Sequence, residues 1–220
     1  PVPNLAAANW LASADYLREE YPDAVLLDVG STTADIIPLN DFESLKGLTD
    51  TMRLQKQYLV YTGMLRTNIA TILSTVTLDG TATPVSTEYF ASSADAHLVL
   101  GHITPEEYTC PTPDNGAKTT EGALRRLARV VCADLDEIGE SGAIQVARQF
   151  WEAQRTLIAR AVGRALFKSG AEQVITAGIG ADLFARELGG ITLNGEIGEV
   201  ADALPAYAVR EVASRHRAGD

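Results

Sequence analysis

A chain of 220 residues with 46% hydrophobic content can bury a sizeable core, as one large domain or two small ones. Its 29 acidic residues against 18 basic ones leave a net charge of −11, so partners gripped through clustered Lys and Arg, nucleic acid or an anionic membrane surface, are not expected. Apolar runs such as Ala24 to Leu27 and Ile36 to Leu39 fall far short of the roughly 20 residues of a membrane-spanning helix, and a cytoplasmic location is the default expectation.

The chain opens on Pro1-Val2-Pro3 without a methionine, which is read as a fragment, a processed product or an incomplete N-terminus. Asn4 to Glu20 carries Leu5, Ala8, Leu11, Ala12 and Tyr16 at helical offsets, with Asn4 placed to cap the helix. Ala24 to Val29 is a short apolar run ending at Gly30, and Ala34 to Leu39 a second one after Ser31-Thr32-Thr33, giving strand, turn, strand. The β-branched segments Ile69 to Leu78 and Thr81 to Phe90 flank Asp79-Gly80 and predict another hairpin. Thr104-Pro105-Glu106-Glu107 has the residues of a capping box opening a short helix. Cys110 to Lys118, with two prolines and a glycine, predicts an exposed connection able to serve as a lid. Helices are expected over Thr120 to Ile138 and Ala143 to Ser169. A strand follows at Gln173 to Ala177, then a tight turn at Gly178-Ile179-Gly180 and a helix at Ala181 to Glu187. One last helix is expected at Tyr207 to Arg217. Cys110 and Cys132 form no metal-ligand cluster with His97, His102 or His216, and His97 and His102 are five apart, so they are read as surface or hydrogen-bonded side chains.

Two constellations carry chemistry. In Asp28-Val29-Gly30-Ser31-Thr32-Thr33-Ala34-Asp35, backbone N–H groups of a glycine turn form an anion-binding concavity, and Ser31, Thr32 and Thr33 add hydroxyl donors. Asp28 and Asp35 can hold Mg²⁺ beside a bound phosphate. In Ile175 to Asp182, Gly178 and Gly180 let a ligand approach the backbone where a helix begins. The stretch lacks the third glycine of a dinucleotide fingerprint and the Gly-Lys-Ser/Thr of a Walker loop. Each is also compatible with an ordinary turn.

Together, in this order, the two resemble the second phosphate motif and the adenosine motif of the actin-like ATPase superfamily. The longer strings ANWLASADYL (Ala8 to Leu17), LLDVGSTTADIIPL (Leu26 to Leu39), GLTDTMRLQKQYLVYTGMLRTNIATI (Gly47 to Ile72), STEYFASSADAHLVLGHITPEEY (Ser86 to Tyr108) and RRLARVVCADLDEI (Arg125 to Ile138) extend the likeness over nearly the whole chain. It resembles the hydantoinase/oxoprolinase-like proteins linked to tetrahydromethanopterin one-carbon metabolism. The resemblance implies an α/β, actin-like (ribonuclease H-like) fold with a mixed sheet flanked by helices. It implies one such domain over residues 1–220, with an inserted hairpin and helical region at about 47–140. The family's earlier glycine-rich phosphate strand, of the DIGGANTK type, has no counterpart here, so the N-terminal part of the cleft is expected to be missing or supplied by another chain.

The implied activity is that of a transferase in methanofuran-type cofactor biosynthesis, condensing a furanylmethyl diphosphate with the phenol of γ-glutamyltyramine and releasing pyrophosphate. Gly30, Ser31, Thr32, Thr33 and Asp35 are then expected to hold the diphosphate, Asp28 and Asp35 to position Mg²⁺, and Asp95 to act as the base. The alternative for Asp95 is a helix-capping carboxylate. Arg53, Tyr61 and Arg66 are candidates for the acceptor, the arginines for its carboxylate or for phosphate, against surface ion pairs. Two further readings stay open: an ATP-dependent kinase or hydantoinase/oxoprolinase-like hydrolase binding nucleotide at Gly178 and Gly180, and a non-catalytic nucleotide-responsive subunit. A homo-oligomer or a partner chain completing the cleft is expected.

Overall fold

The computed structural model describes residues 5–193 and residue 208. The expected cap Asn4, the terminal helix Tyr207 to Arg217 apart from Ala208, and His216 lie outside these residues. In chain order the elements are α1 (Leu5–Leu17), β1 (Ala24–Val29), β2 (Ala34–Pro38), a 3-10 turn at Leu39–Asp41, α2 (Phe42–Leu45), α3 (Asp50–Lys56) and β3 (Leu59–Val60). A second 3-10 turn (Ile69–Thr71) precedes β4 (Thr75–Leu78) and β5 (Thr81–Pro84), followed by α4 (Ser93–Val99), α5 (Thr120–Arg129) and α6 (Leu135–Ser169). The order closes with β6 (Gln173–Ala177), α7 (Ala181–Leu188) and β7 (Ile191–Thr192).

These elements divide into two compact units, residues 1–61 with 158–220, and residues 62–157. The first holds a five-stranded mixed sheet in the order β3-β2-β1-β6-β7. β1 is central, antiparallel to β2 and parallel to β6, and its run Ala-Val-Leu-Leu is buried throughout. A strand covered on both faces has no use for alternation, which is why this one reads as a continuous apolar run. Val25, Leu26, Leu27, Ile36, Ile37, Ile175 and Phe184 form the buried interior of this unit.

The second unit has the β4–β5 hairpin, α4, α5 and most of α6, packed on Ile69, Val76, Leu124, Leu127, Val146 and Phe150. Asp79 and Gly80 turn that hairpin with φ of 47° and 80°, as a two-residue loop requires. Its strands are four residues each, shorter than the sequence suggested, because Asn68 caps a 3-10 turn by accepting from Ala70 N.

Three other expectations are corrected. The capping-box bonds at Thr104 and Glu107 form (2.6 and 3.3 Å), but no helix follows, since Tyr108 is drawn into the interior and Pro111 and Pro113 come next. The helix from Thr120 ends at Arg129 rather than Ile138, with Cys132 at φ 59° breaking the chain before α6, itself kinked at Gly139. The Cys110 to Lys118 connection is anchored rather than lid-like: Thr112 is buried, and Asp114 is held by Arg126 at 3.2 Å and Arg129 at 3.4 Å. Among the described residues no helix is long and apolar enough to cross a membrane.

Candidate functional site

The antiparallel register of β1 and β2 sets Asp28 opposite Asp35 and Val29 opposite Ala34. Residues directly opposite share a face, so the two carboxylates stand together beside the turn Gly30 to Thr33. Gly30 N donates to Thr33 O at 3.0 Å to close that turn, and the half-buried hydroxyls of Ser31 and Thr32 lie 3.4 Å apart. On the other side of β1, the parallel register pairs Asp28 with Ala177, so both strands end at the same level.

The Gly178 turn therefore meets the hairpin. A Cβ on Gly178 would lie 2.5 Å from Asp28 Oδ1 and 2.7 Å from Val29 O, and its φ of +81° is one that side chains disfavour. Gly180 N donates to Val29 O at 3.0 Å, and α7 begins at the next residue. Two motifs 150 residues apart in sequence thus converge at the carboxyl ends of adjacent parallel strands, beside a helix N-terminus. Open α/β sheets bind ligands at such ends. Asp182, in the first turn of α7, accepts from Thr192 Oγ1 at 2.8 Å.

The other expected residues are placed differently. Arg53, on α3, is buried: its guanidinium pairs with Asp35, reaches Asp50 at 3.1 Å and lies 4.3 Å from the centre of the Trp10 ring. It is a partner of Asp35 rather than an open grip for a carboxylate. Burial pushes the Asp35 pKa up, and Arg53 opposes that. Tyr61 is exposed at the end of the first unit, and Arg66 is exposed in the second.

Asp95 realises its capping alternative. It lies wholly inside the second unit as the third helical residue of α4, in a capping box with Ser92, whose N–H donates to it at 2.9 Å. Arg126 at 2.8 Å and the Tyr108 hydroxyl at 3.1 Å take its other oxygen. Burial raises the Asp95 pKa against the pull of Arg126. A carboxylate so enclosed is a structural anchor and is not presented to a phenol.

The sequence reading missed Arg126, Tyr108, Gln154 and Trp10. Arg126 carried a signal, since it falls within the apolar stripe Ala123, Leu124, Leu127 of α5, where an unpaired cation would be unstable. Trp10 carried none. His97 is fully buried and hydrogen-bonded, to Gln154 Oε1 at 2.9 Å and His102 Nδ1 at 3.0 Å. Among the described residues no group of three or more His, Cys, Asp and Glu is arranged to hold a metal.

The Hydantoinase/oxoprolinase family model matches residues 3–196. A (4-{4-[2-(gamma-L-glutamylamino)ethyl]phenoxymethyl}furan-2-yl)methanamine synthase of Methanocaldococcus jannaschii is 36% identical over 214 residues, covering 95% of this chain and 65% of the relative. A protein of the same name from Methanococcus vannielii is 33% identical over 197 residues, covering 85% of this chain and 89% of that one. The chain thus spans about two thirds of the length of the first relative. With a mixed sheet flanked by helices and a model match over most of its length, the chain belongs to the hydantoinase/oxoprolinase family, within the actin-like ATPase-type superfamily.

Proposed function

We propose that the chain is a transferase of methanofuran-type cofactor biosynthesis that joins a furanylmethyl diphosphate to the phenol of γ-glutamyltyramine. The name of its two relatives describes a product in which a phenol oxygen is bonded to a furanylmethyl carbon. The observation that carries the reading onto this chain is the meeting of the Asp28–Asp35 hairpin with the Gly178 turn at one sheet edge. In the reaction the bond from the furfuryl carbon to the diphosphate oxygen breaks, the phenol oxygen bonds to that carbon, and the phenol proton leaves to solvent or a base. Charge building up on the departing pyrophosphate is the main barrier, and fixed N–H dipoles stabilise it without reorganising. Ser31, Thr32 and Thr33 supply donors, while the Gly30 N–H is engaged by Thr33 O and shapes the turn, with the start of α7 adding its dipole.

Mg²⁺ fits this edge in a limited way. One or two carboxylates with substrate phosphate oxygens suffice for it, and Asp28 and Asp35, opposite each other on β1 and β2, are the carboxylates that would hold it, Asp35 from within its pair with Arg53. Bound there, the ion would neutralise diphosphate charge. The experiment is direct: full-length protein with furanylmethyl diphosphate and γ-glutamyltyramine is expected to release pyrophosphate without ATP. No release from the full-length protein refutes the reading.

The family's name favours one rival, an ATP-dependent hydrolase or kinase using the Gly178 to Asp182 turn for nucleotide. Calorimetry with ATP and Mg²⁺ separates the two, since the transferase reading requires no nucleotide.

A further inference from the structure

The first unit carries an aromatic side chain that its own core does not use. Phe167, near the end of α6, is 90% exposed, more than any other large hydrophobic residue among those described. Single exposed apolar residues are ordinary on a monomer, but this one is flanked by charge. Arg164 and Lys168 are exposed on the same helix, three residues before it and one after. Arg164 donates to Gln57 Oε1 at 2.6 Å, and neither cation has a carboxylate partner among the described residues.

The same end of this unit holds a cavity of about 350 Å³. Pro22, Leu39 and Phe42 give it apolar walls, Arg18 lies over the Phe42 ring at 4.5 Å, and the exposed carboxylates Asp41 and Glu43 belong to its lining. Asp41 accepts from the Ser44 hydroxyl at 2.5 Å and has no cationic partner among the described residues. The Glu43 pair with Lys46 is exposed on both sides and therefore weak. Topology brings the aromatic and the cavity together. Pro22 precedes β1 and Leu39 follows β2, so the cavity lies at the end of this antiparallel pair away from the Gly30 turn. α6 finishes just before β6, which runs parallel to β1, and so ends on the same side. Asn40 Nδ2 donates to Ser169 O at 2.8 Å, joining the cavity lining to the chain two residues beyond Phe167. All of these residues belong to the first unit.

A projecting aromatic flanked by cations complements an apolar cavity flanked by carboxylates. Phe167, exposed as it is, does not fill the cavity of its own chain. A two-fold contact requires both halves of the match side by side on one surface, as they are here. We propose that this end of the first unit is a two-fold interface between two copies of the chain, Phe167 of each entering the cavity of the other, with Arg164 and Lys168 set against Asp41 and Glu43. Copies of net charge −11 repel at long range, so their association needs such local opposite charges. Inside the cavity Phe167 would meet the Arg18 guanidinium, a favourable contact for an aromatic ring. The Asp28–Asp35 edge is at the other end of the same strands and stays open, so the proposal stands apart from the transferase reading.

The test is sedimentation velocity of the full chain over a dilution series, where a monomer–dimer equilibrium is expected. Phe167→Gln keeps a good helix former at an exposed position and is expected to weaken the dimer about tenfold or more, because a buried aromatic anchor carries much of an interface's binding. R164E/K168E and D41K/E43K each place like charges together in both contacts, and each alone is expected to sediment as a monomer. Mixed in equal amounts they restore opposite charges in both contacts, and a dimer with one copy of each is expected. Wild type that stays monomeric throughout, a dimer unaffected by F167Q, or a mixture that stays monomeric although both variants keep the wild-type circular dichroism overturns the proposal. Should a charge-reversed variant lose its fold, F167Q alone decides.

Discussion

Gly178 shows how much one missing side chain can carry. It shares a positive φ with Gly170, +81° against +73°, so alanine is strained at both. Only at Gly178 would a Cβ also collide, with Asp28 Oδ1 and with Val29 O, whereas Gly170 has nothing within 4 Å. Gly170→Ala is therefore expected to cost about 1 kcal/mol, and Gly178→Ala several-fold more, with lost pyrophosphate affinity as Asp28 is displaced. Thermal denaturation of both variants checks this, and equal losses would disprove the clash. His97 makes a second prediction. Gln154 Nε2 donates to Thr62 Oγ1 and Gly63 O, both at 2.9 Å, so its Oε1 must accept from His97 Nε2–H, and His97 Nδ1 accepts from His102. A proton on that nitrogen would face another donor, and burial holds the His97 pKa at about 3, below its ordinary 6.5. The unfolded chain takes up this proton near its ordinary value and the folded one does not. Stability contributed by neutral His97 is thus complete above about pH 6.5 and is lost as the pH falls toward about 3. By about pH 5 the loss is about 2 kcal/mol. Urea denaturation of wild type and His97→Gln at about pH 7 and about pH 5 isolates it; a difference between them that stays constant with pH would contradict the tautomer assignment.

At the scale of elements, α4 and α5 are joined by the buried pair of Asp95 and Arg126. Removing one partner strands a buried charge, so Asp95→Ala is expected to cost about 3–5 kcal/mol. Arg125→Ala, on the solvent side of α5, only opens an exposed pair with Glu121 and should leave the urea midpoint unchanged. If Asp95→Asn instead kept wild-type stability and abolished pyrophosphate release, the base role would return. The contrast with the hairpin shows which features were legible from sequence. β1, β2, β6, the Asp79-Gly80 turn and the start of α7 follow from local rules: apolar runs, glycine, and dipeptides with one preferred turn. The site edge was legible for that reason, since all its residues sit in two short motifs. Asp95 and Arg53 were not, because a capping carboxylate and a surface arginine have the same local sequence as a base and a substrate grip. Their partners, Arg126 at 31 residues' distance and Asp35 at 18, are tertiary. The Thr104 box marks a limit of local rules: its bonds form, yet the pull on Tyr108 ends the turn before a helix can propagate.

At the scale of the whole chain, nothing in the periodicity of α6 marks the passage from residues 62–157 to the unit that resumes at Ile158, because the helix runs on through it. The resemblance implies an inserted region at about 47–140, whereas α3 and β3 belong with the sheet, where Arg53 pairs with Asp35 and β3 pairs with β2. The chain's two tryptophans give each unit its own reporter, Trp10 in the first and Trp151 in the second. Units with separate cores need not unfold in one step. Fluorescence-detected denaturation of Trp10→Phe, which leaves Trp151, and of Trp151→Phe, which leaves Trp10, is expected to give distinct midpoints. Asp95→Ala should then lower the Trp151 transition and spare that of Trp10. Pyrophosphate at about 100 times its Kd should do the reverse, raising the Trp10 transition by about 2.7 kcal/mol, because a ligand stabilises only the unit that holds it. The hairpin, the glycine turn and Arg53 all lie in that first unit, so equal shifts of both transitions would refute an assignment of the ligand to this unit alone.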